Sequence, residues 1–181
     1  MNTPSFSGAR YFITFIDDHS RHMFVYFLHS KDQALNAFKE FKALVENETG
    51  RTIKRVRTDG GGEYCSNALK SVFKSAGIEH QITPPHTPQQ NGVAERANRT
   101  LVEKARAMLH GANLDYRFWA EAVSTASYLH ERSLTSSIPN MTPYEAWYGH
   151  KPHVSHLRVF GCAAYAHIPK ADRRKLDPKS F

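Results

Sequence analysis

Two short stretches place the tightest limits on how this chain can fold. One is Thr58-Asp59-Gly60-Gly61-Gly62-Glu63-Tyr64, and the other is Pro88-Gln89-Gln90-Asn91-Gly92-Val93-Ala94-Glu95-Arg96. Asp59 closes a short alternating run, Ile53 to Thr58, that reads as a strand. Glu95 stands at the start of a long amphipathic helical pattern, with thirty-five residues between the two acids. A strand end and a helix start, each carrying a carboxylate, define a scaffold that can bring both groups together. Hard divalent cations such as Mg²⁺ take a few carboxylate oxygens together with water and phosphate. A metal pair held this way activates a nucleophile and stabilises a leaving oxygen in phosphoryl transfer.

The helical pattern, about Gly92 to His110, can be checked by angle at ~100° per residue. Val93, Ala97, Leu101, Ala105 and Met108 fall on one side, and Glu95, Arg99, Val102, Glu103 and Arg106 on the other. Glu95 therefore points away from the core stripe, in the first turn or so, where the helix dipole favours a carboxylate. A solvated surface acid fits that position too. The glycine-rich Asp loop and the polar segment before the helix tilt the reading toward function.

The chain has 181 residues, which suggests one domain with a real core. Its formal net charge is +7, a balance that suits a polyanionic partner such as nucleic acid, though a basic protein without one also fits. Cys65 and Cys162 form no CxxC pair and read as free thiols in a reducing compartment. No apolar run approaches membrane-spanning length, and no secretory signal precedes the first strand.

In chain order, residues 1–9 read as a loop. Tyr11 to Ile16 and Met23 to Leu28 read as a hairpin around the turn Asp17 to Arg21. Ser30 caps the next helix, with Gln33 in the capping-box position, and Gly50 stops it. After the strand into Asp59, Ser66 opens a short helix that ends at Gly77, and Ile78 to Thr83 reads as a strand. Pro84 to Gln90 reads as a mobile polar loop, with Gly92 after it as a candidate hinge. Asp115 to Glu131 reads as a helix. Thr142 caps another, with Pro143 first and Glu145 completing a capping box. Leu157 to Ile168 reads as strand-like, and Arg173-Arg174-Lys175 as a basic tail segment.

The segments Phe15-Ile16-Asp17-Asp18-His19-Ser20-Arg21, Arg57 to Tyr64 and Pro88 to Arg96 resemble the integrase core of copia-type LTR retrotransposon Pol polyproteins. So do Thr142-Pro143-Tyr144-Glu145-Ala146-Trp147, His156 to Cys162 and Lys175-Leu176-Asp177-Pro178. The resemblance implies an α/β, ribonuclease-H-like fold, a mixed sheet flanked by helices. It implies a D,D-35-E active site using Mg²⁺ or Mn²⁺, with Asp59 and Glu95 matching the second and third carboxylates, both catalytic and metal-binding. The implied activity is 3′-end processing and strand transfer of element DNA into a target. The implied partners are element DNA ends, target DNA, further copies of the chain, and the parent Pol polyprotein with its protease, reverse transcriptase and ribonuclease H. The implied locations are a cytoplasmic particle and the nucleus. The implied division is a catalytic core over 1–112 and a helical and strand extension over 113–181.

The family's first carboxylate lies on a strand before the hairpin, and nothing in this chain matches it. The expectation is a core with its first strand missing, an unpaired edge on the hairpin, and little activity on its own, with the end at Phe181 reading as a cut inside a continuing polyprotein. Asp17 and Asp18 read as turn residues, because their strand should finish at the far end of the sheet from Asp59. Arg96, Arg99, Asn91 and Gln90 are candidates for gripping DNA, although Arg96 and Arg99 could equally be solvated charges. Asn67 and Tyr64, near the Asp loop, are candidates to line the site, and Tyr64 could equally pack. His150, His153 and His156 recur every third residue, but no cysteine or acid completes a zinc set there. Glu63 has no matched role.

Overall fold

The computed structural model describes every residue except 63, 65, 84–87 and 181, and at 88–91 it describes the backbone alone. Glu63, Cys65 and the segment 84–87 therefore lie outside the described residues, as do the side chains of Gln90 and Asn91.

The β-branched and aromatic run Tyr11–Ile16 (β1) pairs antiparallel with Met23–Leu28 (β2), Ile16 opposite Met23. Asp17 shapes the turn between them: its Oδ2 accepts from the Ser20 N–H and hydroxyl, both at 2.7 Å, and Asp18 pairs with Arg21. Both acids are turn residues, as their sequence context predicts. A short 3₁₀ turn, Lys31–Gln33, leads into Ala34–Thr49 (α1), which Gly50 ends at φ +65°. The capping box expected at Ser30 is not formed. Ser30 makes no side-chain cap, and the Gln33 carbonyl reaches back to the His29 N–H instead, because the 3₁₀ turn moves the helix start three residues on.

Arg55–Thr58 (β3) pairs parallel with Glu79–Ile82 (β4) through the crossover Asn67–Ser75 (α2). Ser66 caps α2 by accepting from Leu69 N–H, and Gly77 closes it at φ +67°. The long helix Pro88–Gly111 (α3) starts earlier than its periodicity suggests. Residues 88–90 belong to it rather than to a loop, since proline is at home in a first helical turn, where its missing N–H has no partner to lose. A 3₁₀ turn at Tyr116–Phe118 precedes Trp119–Glu131 (α4), and Pro143–Tyr148 (α5) follows, with the predicted capping box between Thr142 and Glu145 in place. Leu157 to Ile168 forms no strand. Its alternating residues are mostly exposed, and among the described residues its one strand-like pairing is the bridge His167–Ser180, while Phe160 packs against the helical core.

Helices cover both faces of the strands. On one face Phe38, Leu69, Phe73 and Ile78 bury against Phe15 and Val56, with Tyr64 packed beside them. On the other, Leu101, Ala105, Leu109, Trp119, Ala122 and Val123 build a core under Phe12 and Val25. The predicted stripe of α3 is thus the buried one from Leu101 onward, whereas Val93 stays 37% exposed. The four strands do not form one sheet. Among the described residues, β1–β2 and β3–β4 are two separate two-stranded sheets. Among the described residues, no helix is long and apolar enough to cross a membrane.

Candidate active site

Asp59 follows directly on β3, so the strand fixes its backbone. Its Oδ1 accepts from the Gly61 N–H at 3.1 Å, an Asx-type turn that holds the carboxylate at the strand end. Glu95 sits two turns into α3, on the exposed side of the helix. Both side chains are exposed, and among the described residues neither enters a salt bridge. The helix is anchored to the hairpin close by, where the Thr14 hydroxyl donates to the Asn98 side-chain oxygen, Oδ1, at 2.9 Å.

A cleft of about 1520 Å³ runs between β1 and β3. Thr14 to Ile16 line one wall and Ile53 to Arg57 the other, with Val93 and Ala94 of α3 at its side. The fold therefore brings the residues just before Asp59 and just before Glu95 to one cleft. The Asp17–Asp18 turn lines the cleft as well.

The other candidate residues divide. Arg96 lies exposed and folds its Nε back to the Gly92 carbonyl at 3.0 Å. Arg99 is exposed on the same helix. Tyr64 packs against both α1 and α2 clusters, which resolves its two readings toward packing, and Asn67 is exposed at the start of α2. Cys162 is a free, exposed thiol. The histidines at 150, 153 and 156 engage aromatic and hydroxyl neighbours: His156 meets the Tyr128 hydroxyl at 2.7 Å, and His153 stacks on His156.

Sequence reasoning missed a buried polar cluster. His22 stacks on Trp147 with ring centroids 5.4 Å apart, and its Nδ1 lies 3.6 Å from a Glu131 carboxylate oxygen. Burial, then the nearby Arg132 charge, pushes the His22 imidazole down to about 4. Burial pushes the Glu131 carboxyl up to about 7, against the pull of Arg132 and of the Met23 N–H. The Arg132 guanidinium lies over the rings of Tyr128 and Tyr144. The only sequence signal was an acid, Glu131, at the end of an otherwise apolar helical stripe.

Residues 3–88 match the Integrase core domain family. Along its whole length the chain is 52% identical to the retrovirus-related Pol polyprotein from transposon TNT 1-94 of Nicotiana tabacum. Residues 3–88 are an integrase core domain. The polyprotein from transposon RE2 of Arabidopsis thaliana is 36% identical over 97% of the chain. Both similarities extend beyond residue 88, where the family match ends. The chain spans only 14% and 12% of those two relatives. A chain in the cryoEM structure of the simian T-cell lymphotropic virus intasome in complex with PP2A regulatory subunit B56 gamma superposes with a TM-score of 0.61. It is 18% identical, and the match covers 88% of this integrase core and 54% of that chain, a likeness of fold. The resemblance read from the motifs, and the ribonuclease-H-like α/β fold it implied, are therefore correct.

Proposed function

We propose that this integrase core takes part in metal-dependent phosphoryl transfer on DNA, with Asp59 and Glu95 as two of the three carboxylates of the site. The observation that carries the reading is the pair of exposed acids without salt bridges, one at the end of β3 and one on α3, beside a shared cleft. Buried or paired carboxylates serve packing, whereas exposed ones on rigid elements are free to meet a cation. The donor set fits a hydrated Mg²⁺ or Mn²⁺ in part. It offers two carboxylates open to water, but no cluster of three His, Cys, Asp or Glu side chains exists among the described residues. A third carboxylate, on a strand outside residues 1–181, completes the set in this reading. A bound cation would supply charge neutralisation at the reacting phosphate. The chain's own part is to hold two carboxylates in place and to meet the DNA backbone with Arg96 and Arg99. Gln90 and Asn91 belong to the same proposal from their place at the start of α3.

In this reading the partners are element DNA ends and target DNA, met by an oligomer, and the products are processed 3′ ends and joined strands made in a cytoplasmic particle and the nucleus. The test is strand transfer on a matched DNA end with Mn²⁺, comparing residues 1–181 with a longer polyprotein segment. Joined product from the longer protein, lost on Asp59→Asn or Glu95→Gln, supports the reading. Hydrolysed but never joined DNA would make the protein a nuclease. The lack of a three-ligand cluster among the described residues favours a second reading for residues 1–181 alone, a module that binds nucleic acid without cutting it. Binding that Asp59→Asn and Glu95→Gln leave unchanged, without nicking, identifies that module.

A further inference from the structure

β3 is short, and the contacts of its last residue decide where Asp59 points. The strand has four residues, Arg55–Thr58, and Thr58 is tied to β4 twice. Its carbonyl accepts from the Thr83 N–H at 2.9 Å, and its hydroxyl Oγ1 lies 2.9 Å from Nε2 of His80. In the register of the two strands, Val56 stands opposite His80 and Thr58 opposite Ile82. Alternate residues of a strand share a face, so Thr58 and His80 are diagonal neighbours on one side of the sheet. That side is packed at this point. Val56 joins the apolar layer of α2, and the His80 ring lies against Phe73 with centroids 4.7 Å apart. On the opposite side, Arg55 meets Glu79 and Arg57 meets Gln81 at the exposed surface, where such contacts contribute little.

We propose that His80 is a positioning residue for Asp59: its hydrogen bond to Thr58, braced by Phe73, sets the direction in which β3 presents the Asp59 carboxylate. This role rests on the reading of Asp59 as a metal ligand. Asp59 follows Thr58 directly, and its own carboxylate has the local Gly61 N–H contact at 3.1 Å. A β-branched side chain has few χ1 states, so a bond at Oγ1 fixes the Thr58 side chain. Together with the Thr83 bond it also fixes the Thr58 backbone, from which Asp59 departs. Burial, and then the Lys70 charge, hold the His80 imidazole below its ordinary value. A neutral ring can take the hydroxyl hydrogen at Nε2. Groups that orient metal-binding side chains carry about ten- to a hundredfold in metal affinity. Here the link passes through one residue of backbone, so the factor is smaller.

The test compares variants of the 181-residue chain. Thr58→Val keeps the side-chain shape and His80→Phe keeps a ring against Phe73, but each breaks the bond. Thr58→Ser and His80→Gln keep a hydrogen-bonding partner at each position. Two readouts are taken: backbone order at Asp59 from ¹⁵N relaxation without metal, and the Mn²⁺ concentration that half-broadens Asp59 to Gly62. Order at Asp59 should fall from about 0.85 toward about 0.6 in Thr58→Val and in His80→Phe. The Mn²⁺ midpoint should rise about three- to tenfold in each, and no further in the double variant, because both changes remove one bond. Thr58→Ser and His80→Gln should stay close to the unaltered chain in both readouts. Unchanged order and midpoint in Thr58→Val overturn the proposal. So does a loss in His80→Phe that Thr58→Val does not share, or a double variant whose loss is the product of the two single ones. If Asp59→Asn leaves the Mn²⁺ broadening intact, the metal reading fails instead, and the metal-free order at Asp59 alone decides the role of His80.

Discussion

Glu131 and Glu95 are both helix-borne glutamates, and the fold treats them in opposite ways. Glu131 lies at the end of α4, buried, against His22 and beside Arg132, with the Met23 N–H donating to it. Glu95 stands exposed on α3, and Asp59 beyond β3 is likewise exposed, held only by a local turn. The first arrangement fixes the β1–β2 turn against α4 and α5. The second leaves two carboxylates open on rigid supports. Burial with partners marks an acid that serves the fold, and exposure on a rigid element marks one available to a ligand. Substitutions on both sides sharpen that contrast.

The largest effect belongs to the closed side of the molecule. Leu101 is fully buried between α3, α4 and the hairpin. Leu101→Ala should cost about 2–5 kcal/mol, read as a lower urea midpoint, because the helix pair has little room to collapse into the cavity.

Next is the pH dependence of the buried pair. The His22 imidazole, held down at about 4, takes up its proton more readily in the unfolded chain, so its contribution to stability falls as the pH drops from its ordinary value near 6.5. Glu131, pushed up to about 7, works the other way, and its contribution falls as the pH rises from about 4.5 to 7. Between about pH 4.5 and 6.5 the two slopes oppose one another. Glu131→Gln removes one of them and keeps an acceptor for Met23. Stability of this variant should fall on acidification from pH 6.5 toward 4.5, with a slope of up to about 1.4 kcal/mol per pH unit that the unaltered chain lacks. Urea titrations at several pH values give that slope directly. A flat profile in the variant would show that the pair is not what holds the hairpin turn.

A smaller change is expected at α5. The Thr142 hydroxyl accepts from the Glu145 N–H at 3.1 Å, and the Glu145 carboxylate accepts from the Thr142 N–H at 2.8 Å. Thr142→Ala should cost about 1 kcal/mol in thermal unfolding. Smallest of all, Asp59→Asn and Glu95→Gln should each shift stability by less than about 0.5 kcal/mol, since both side chains are exposed and the local Gly61 N–H contact of Asp59 can also be made by an asparagine oxygen. A loss of 2 kcal/mol or more at either position, on the scale of a buried group, would place it among the structural acids with Glu131.

The sequence shows the elements of this contrast unevenly. The hairpin, α2 and its Ser66 cap, the Thr142 capping box and the stripe of α3 follow local rules of periodicity and capping, so they could be read from neighbouring residues. The places of Asp59 at a strand end and of Glu95 on the exposed side of a helix could be read too, because the glycine loop and the amphipathic helix isolate them. The His22–Glu131 contact was not, since it joins positions 109 residues apart in sequence and depends on how α4 docks on the hairpin. Leu157 to Ile168 misled for the same reason. Alternation makes a strand only where another strand offers an edge, and among the described residues none pairs with this segment beyond the bridge His167–Ser180. The helical start at Pro88 was hidden by a polar composition that resembles a loop.

Paramagnetic broadening by Mn²⁺ reports directly on whether Asp59 and Glu95 form one site. Nuclear magnetic resonance spectra of the chain, recorded during titration with Mn²⁺, should lose intensity together at Asp59 to Gly62 and at Val93 to Arg96. Either Asp59→Asn or Glu95→Gln should abolish the effect at both segments, because neither carboxylate holds the ion alone. Broadening confined to the Asp17–Asp18 turn, or unchanged by either substitution, would contradict a shared cation site.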